Sequence, residues 1–228
     1  MDEASRDAAK RRAGQSAIEA VQDGDIVGLG SGSTAKHAIL ALGERVEDGL
    51  DIVGIPTSLQ ARELAVDAGI ELTTLHETGG HIDVVVDGAD QFAGADLIKG
   101  GGGAHAREKI VASAAARFLA VVDETKQSDQ LDAPVPVEIL PDARHTAAAE
   151  IRAMGGEPTL REATTKAGPT VTDNGNLVLD CEFDVVTDVA DLATELASIP
   201  GVVEHGLFPA VADEIHMGTT TDVTVFSP

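Results

Sequence analysis

Four consecutive glycines, Gly100 to Gly103, stand between Lys99 and a stretch patterned as a helix. Lacking β-carbons, these residues reach positive φ and let the backbone approach another group closely. Ala106, Ile110, Val111, Ala114, Ala115 and Phe118 then recur at helical spacing. A glycine turn that opens a helix aims unpaired backbone N–H groups at one point, which favours a bound anion. Glu108 falls near the start of that helix. A lysine, a backbone anion cradle and a carboxylate within a dozen residues suit chemistry on a phosphorylated or enolisable substrate. A flexible turn and a carboxylate that complements the helix dipole are the plainer readings of the same residues.

A second glycine-rich loop comes earlier. Ile26-Val-Gly-Leu-Gly-Ser-Gly-Ser-Thr34 reads as a short apolar strand running into glycines and hydroxyls, with a helix from Ala35 to Leu42. Strand, glycine loop and helix in that order cradle phosphate. The loop fails as a dinucleotide fingerprint. Ser33 stands where the third glycine belongs, and the next strand, Ile52 to Ile55, runs into Pro56-Thr57-Ser58 with no acid for a ribose. It fails as a P-loop because no Gly-Lys-Ser/Thr follows at the required spacing. A seat for one phosphate at Ser31, Gly32, Ser33 and Thr34 remains, beside the simpler reading of Ser33 or Thr34 as a helix N-cap.

The rest of the first half alternates helix and strand. Helices are expected over residues 5–22 and 59–68, with Ala9, Ala13, Ala17, Ile18 and Val21 on one face of the first. Ile70 to Leu75 reads as a short strand, and Ile82 to Asp87 as a buried parallel one. The latter ends in Asp87-Gly88-Ala89-Asp90, carboxylates at the strand end where α/β sheets place their sites, although Asp-Gly is also ordinary turn chemistry. Phe118 to Asp123 is a further strand, and it brings Lys126 to the same rim. Asp87 and Asp90, three residues apart, could also hold a metal, but no further ligand cluster supports it, and a lone pair such as His105 and Glu108 is more often incidental than a metal site.

From Asp132 the rhythm changes. Val135 to Leu140 is a strand interrupted by Pro136, which predicts a sheet edge. A helix from Ala147 to Met154 ends at Gly155-Gly156. Strands follow over 157–163 and 176–181, around the hairpin signal Asn174-Gly175, then a helix over 189–197 and a strand over 202–207. This βαββαβ order predicts a ferredoxin-like unit. The last strand, 222–226, is expected to rejoin the first sheet. The expected fold is therefore α/β, a Rossmann-like parallel-sheet domain over 1–131 plus 208–228, with a smaller inserted ferredoxin-like α+β domain over 132–207.

Composition limits the partners. The chain has 228 residues, 43% of them hydrophobic, enough for a full core. No apolar run approaches the roughly 18 residues of a membrane span, and the charged N-terminus is no signal peptide. Cys181 is alone, which fits a reducing cytoplasm. Asp and Glu number 39 against 16 Lys and Arg, a net charge of −23 that repels nucleic acid and anionic membranes. The acids are dispersed and only six residues are lysine, a pattern expected of adaptation to high salt. In so acidic a chain, lysines inside glycine motifs mark where an anionic substrate would be held.

Four stretches in order resemble ribose-5-phosphate isomerase of type A: Gly28 to Thr34, Asp87-Gly-Ala-Asp90, Lys99 to Lys109, and Asp123-Glu-Thr-Lys126. Val171 to Asn176 and Ile199 to Val203 look like family segments of the small domain. The resemblance runs nearly end to end. It implies interconversion of ribose 5-phosphate and ribulose 5-phosphate through an enediolate, without metal or cofactor, in a cytoplasmic dimer or tetramer of this chain. It also implies residue roles. Glu108 matches the catalytic base, with Lys99 as a stabiliser of the oxyanion and Asp87 in ring opening. Ser31 to Thr34 match the phosphate loop, and Asp87, Gly88, Ala89, Asp90, Lys99, Gly100, Gly101, Gly102 and Lys126 match other substrate contacts. Ser31 replaces the usual Thr and keeps its hydroxyl; Gln91 replaces the usual Glu. Lys10, on the first helix, is a further candidate for the phosphate. The alternatives are an amino-sugar-phosphate isomerase/deaminase on a similar fold, or a sugar-phosphate-sensing module. A CoA-transferase-like reading is weaker, since nothing marks a covalent Glu.

Overall fold

The computed structural model describes residues 1–165 and 167–228, and strand alternates with helix from the start. The elements are α1 (Glu3–Ile18), β1 (Ile26–Leu29), α2 (Gly32–Glu47), β2 (Val53–Pro56), α3 (Leu59–Asp67), β3 (Glu71–Leu72), β4 (Ile82–Gly88), β5 (Gln91–Ala93), β6 (Asp96–Ile98), α4 (His105–Ser113) and β7 (Ala115–Asp123). They continue with β8 (Val135–Ile139), α5 (Arg144–Ala153), β9 (Glu157–Leu160), β10 (Leu177–Glu182), α6 (Val189–Ser198), β11 (Val202–His205), β12 (Leu207–Phe208), β13 (Glu214–Gly218) and β14 (Val223–Phe226). Contacts divide the chain into two units, Met1–Ala89 with Arg107–Gln127 and Val211–Pro228, and Asp90–Ala106 with Ser128–Ala210. The second unit includes 90–106, which the sequence reading places with the first domain.

The first unit is built on a seven-stranded sheet of order β14-β13-β7-β4-β1-β2-β3, parallel except for β14, which runs antiparallel to β13. Val27, Leu29, Val84, Val86, Leu119 and Val121 share one core with Ala13, Ala17 and Ile18 of α1, with α2 and with α3. The alternate positions of the strands face the other way. A β-carbon on Gly28 would lie 2.8 Å from Val111 of α4, so α4 covers that opposite face. Covering both faces is what lets these parallel strands be apolar throughout. The alanine stripe of α1 permits close packing. β-Carbons at Gly14 and Gly218 would fall 2.7 Å from the Ala38 nitrogen and 1.9 Å from the Ala9 carbonyl.

The second unit holds a four-stranded antiparallel sheet of order β11-β8-β10-β9, with α5 and α6 supplying the crossovers of a ferredoxin-like unit. Val135, Val137 and Ile139 of β8 enter a core with Ile151, Leu179, Cys181 and Leu196. A separate three-stranded sheet joins β12, β6 and β5.

Several elements differ from expectation. β8 lies inside its sheet, not at an edge, despite Pro136. The Pro136 carbonyl accepts from Gly206 N at 2.7 Å, just past the end of β11, so the missing N–H falls where that ladder stops. α4 is only nine residues long; Ala115 and Phe118 belong to β7, and Ile110 is exposed. α1 ends at Ile18, and α2 begins at Gly32 rather than Ala35. β13, which was not expected, separates β14 from β7. No helix among the described residues is long and apolar enough to cross a membrane.

Candidate active site

In the first unit the chain runs outward from β1 to β2 and β3, then returns to place β4 on the other side of β1. Such a reversal of strand order opens a crevice at the carboxyl ends of the two strands. Gly30 follows β1 and Asp87 is the last residue but one of β4 at this point. A β-carbon on Gly30 would overlap the Asp87 carboxylate, so only glycine admits it. Asp87 is fully buried, and its Oδ1 accepts from Ser31 N at 3.1 Å and from Gly88 N at 2.7 Å. The Ser31 hydroxyl donates to Ser58 Oγ at 2.6 Å and lies 2.8 Å from Thr57 Oγ1.

Ser31, not Ser33 or Thr34, is the N-cap residue of α2, and its side chain makes no capping bond. The first-turn N–H groups of this helix are therefore left for another acceptor. Gly32, at φ +92°, makes the entry, and Gly32 and Ser33 are exposed. Lys10 of α1 donates to Ser33 Oγ at 2.8 Å, which brings a cation to the same helix end. On β7, two strands from β1, Asp123 accepts from Thr125 N at 3.0 Å and closes the turn that carries half-buried Lys126. Glu108 sits in the first turn of α4 and is 4% exposed.

The second unit contains the glycine turn. Gly100 has φ +101° and Gly103 φ +74°, and Gly103 N donates to the Gly100 carbonyl at 2.9 Å. Exposed Asp90 accepts from Gly101 N at 2.6 Å. Lys99 is 2% exposed, with Nζ 5.6 Å from the centroid of the Phe208 ring. A β-carbon on Gly100 would press on the buried His105 ring at 2.6 Å, and one on Gly102 would meet nothing within 4 Å. Gln91 is explained structurally. Its carbonyl accepts from Asp132 N and Ala133 N at 2.9 Å each, while its amide donates to Asp132 Oδ1 at 2.5 Å. A glutamate there would set two carboxylates against each other.

The first unit thus gathers Ser31 to Thr34, Asp87, Gly88 and Ala89 with Lys10, and the second gathers Asp90, Lys99 and Gly100 to Gly102. Sequence reasoning missed Arg161, which donates to the Gly100 and Gly101 carbonyls at 3.0 Å each and pairs with Asp180. It also missed the buried Glu138, which binds Thr172, Asn174 and Asn176. Neither had a local signal, since their partners lie 19 to 61 residues away. Among the described residues, no group of three or more His, Cys, Asp or Glu side chains is placed to hold a metal ion.

A switch-point crevice with a buried carboxylate, beside an uncapped helix N-terminus reached by a lysine, defines an α/β enzyme for a small phosphorylated substrate. Comparison with known proteins narrows the class. Residues 53–222 match the model of the family described as ribose 5-phosphate isomerase A (phosphoriboisomerase A). The chain is 57% identical over 225 residues to ribose-5-phosphate isomerase A of Haloarcula marismortui, covering 99% of this chain and 98% of that one. It is 61% identical over 219 residues to the Natronomonas pharaonis protein of the same name, covering 96% of each. Ribose 5-phosphate isomerase A of Methanocaldococcus jannaschii superposes with a TM-score of 0.93 at 39% identity, over 98% of this chain and 100% of that one. A D-ribose-5-phosphate isomerase solved in complex with phospho-erythronic acid superposes at 0.95, with 38% identity and full coverage of both chains. The chain belongs to the ribose 5-phosphate isomerase A family.

Proposed function

We propose that Glu108 carries the proton in an aldose–ketose isomerisation of D-ribose 5-phosphate and D-ribulose 5-phosphate. Its carboxylate takes the hydrogen from C2 of the open-chain aldose, leaving an enediolate, and returns it to C1. A hydroxyl hydrogen passes from O2 to O1 in the same turnover, so the two sugars differ only in where two hydrogens sit. The negative oxygen that develops needs a cation or N–H donors. Lys99 and the glycine-turn N–H groups take that role, and Asp87 assists ring opening. Lys10, Lys126 and the N-terminus of α2 hold the phosphate.

The observation that carries this reading is burial. Asp87, Lys99 and Glu108 are 0%, 2% and 4% exposed, although such side chains are ordinarily left in water. Buried at the end of a parallel strand, before a glycine turn and in the first turn of a helix, these three groups stand where acid–base chemistry is ordinarily placed, which supports the reading. Family membership favours the isomerase over a sugar-phosphate sensor or an amino-sugar-phosphate deaminase. The small-molecule sugar phosphate is one partner. A second copy of the chain, as dimer or tetramer, is another, proposed on the family resemblance. A cytoplasmic setting fits the lone, buried Cys181.

The test is Glu108→Gln with C2-deuterated ribose 5-phosphate. Turnover and deuterium loss should fall by about 10³-fold, within the usual worth of a positioned base. Binding of phospho-erythronic acid should stay close to native. A variant that still releases deuterium at near the native rate removes Glu108 from the role.

A further inference from the structure

Arg161 lies just beyond β9, and its backbone is fixed on both sides. Its N–H donates to the Val178 carbonyl at 2.9 Å, and its own carbonyl accepts from Thr170 N at 2.8 Å. Its guanidinium faces two groups at once. Nε donates to Asp180 Oδ2 at 2.8 Å and Nη2 to Asp180 Oδ1, a two-pronged pair anchored on β10. The remaining nitrogen, Nη1, donates to the carbonyls of both Gly100 and Gly101 at 3.0 Å.

Those two bonds set the direction of the turn. Among the described residues no peptide bond is cis, so each carbonyl of the turn points opposite to the N–H of the following residue. Turning the Gly100 carbonyl to Arg161 turns Gly101 N–H away from it, onto Asp90. Turning the Gly101 carbonyl to Arg161 aims Gly102 N–H away from Arg161 as well. Four adjacent glycines have no side chains to select this state, and each is free to rotate its peptide. A carbonyl rotated into the site would place a negative dipole where negative charge is to develop.

We infer that Arg161, oriented by Asp180, is a positioning residue that fixes the Gly100–Gly101 peptide with its N–H on Asp90 and the Gly101–Gly102 peptide with the Gly102 N–H turned to the substrate. The inference rests on the reading of that turn as an oxyanion binder. Arginine suits the task because its planar fork serves a carboxylate and two carbonyls together, whereas a lysine offers one point charge. The effect belongs to the transition state, where the oxygen becomes negative, and so to kcat more than to KM.

The experiment compares Arg161→Met, Arg161→Lys, Asp180→Asn and Glu108→Gln in the full chain, with kcat and KM for ribose 5-phosphate, far-UV circular dichroism and melting. In Arg161→Met, kcat should fall about 10- to 100-fold while KM stays within about threefold. Arg161→Lys should recover part of the loss, and Asp180→Asn should lose less than Arg161→Met. A folded Arg161→Met with kcat within about twofold of native, or one altered in KM alone, overturns the inference. Should Arg161→Met fail to fold, native kcat in both Arg161→Lys and Asp180→Asn overturns it equally. Glu108→Gln separates the two layers. If it stays active, the site reading fails; if it is inactive while the Arg161 variants are native, only the positioning role fails.

Discussion

A β-carbon on Gly30 would stand 2.2 Å from Oδ1 of Asp87 and 2.5 Å from its Cα, so the end of β4 occupies space that only glycine leaves at the end of β1. The backbone of Asp87 cannot yield, because β4 is paired on both sides. Gly30→Ala should therefore displace the chain that follows β1 and turn the carboxylate away from Ser31 N and Gly88 N. The expected stability loss is about 1–3 kcal/mol, as for other overpacked sites, with a fall in kcat that exceeds the change in melting temperature. Gly32→Ala is the comparison for stability, since in activity it touches the phosphate end of the site and should act on KM. It meets no neighbour and carries only the strain of φ +92°, about 1 kcal/mol, with Asp87 undisturbed. Circular dichroism melts and a coupled isomerase assay measure both.

Glu138 bears a comparable load in the second unit. It is fully buried, and its Oε1 accepts from Thr172 Oγ1 at 2.8 Å, Asn174 Nδ2 at 3.0 Å and Asn176 Nδ2 at 2.8 Å. Thr172 in turn lies 3.9 Å from where a β-carbon of Gly103 would be, so the loop is held against the glycine turn. Glu138→Leu leaves three donors without their acceptor and should cost about 3 kcal/mol in urea unfolding, with Glu138→Gln, which keeps an acceptor oxygen, losing less.

What was legible in the sequence was the part encoded over short spans. Apolar runs such as Ile82 to Val86 mark strands, and the glycine or Asp-Gly pairs after them mark where those strands stop, so the sequence already sets Ser31 and Asp87 on one rim, where the Ser31 N–H donates to Asp87. Pro136 misled because a missing N–H is harmless where the neighbouring strand stops, and the length of β11 is a tertiary fact. The Ala114 to Phe118 stretch misled because small and apolar residues satisfy helix and strand periods alike over so few positions. β5, β6 and β12, of two or three residues each, are too short for any period to register. Arg161 and Glu138 were invisible for a different reason: their meaning lies in partners brought near by folding.

His216 gives the first unit a pH dependence. It is buried on β13, with Nδ1 2.9 Å from Ser16 Oγ and Nε2 3.4 Å from Glu214, which also pairs with Arg117 at 2.6 Å. Loss of hydration holds its pKa below the ordinary histidine value of 6.5, outweighing the upward pull of Glu214. The unfolded chain therefore binds a proton at a pH where the native one does not, so this contribution to stability is present above pH 6.5 and is lost as pH falls toward the lowered native value. His216→Gln should flatten the decline in unfolding free energy between neutral and mildly acidic pH. A slope identical to that of the native protein would assign the decline to other groups.

The surplus of acids makes the strongest demand on conditions. With 39 Asp and Glu against 16 Lys and Arg, self-repulsion acts over the whole surface. The screening length shrinks from about 10 Å at 0.1 M salt to about 3 Å at 1 M, so neighbouring acids cease to oppose one another only in concentrated salt. This is the electrostatics of adaptation to high salt. The melting temperature should rise steadily from 0.1 to about 2 M KCl, a concentration at which this repulsion is screened. It must be followed by circular dichroism, because the chain has no Trp or Tyr to report by fluorescence. Replacing exposed Glu3, Glu47, Asp67 and Asp129 by their amides removes charge without touching the core, and should raise the melting temperature in dilute salt while leaving it nearly unchanged in molar KCl. Full stability of the native chain in dilute buffer, with loss in molar KCl, would show that repulsion between these acids is not what limits it.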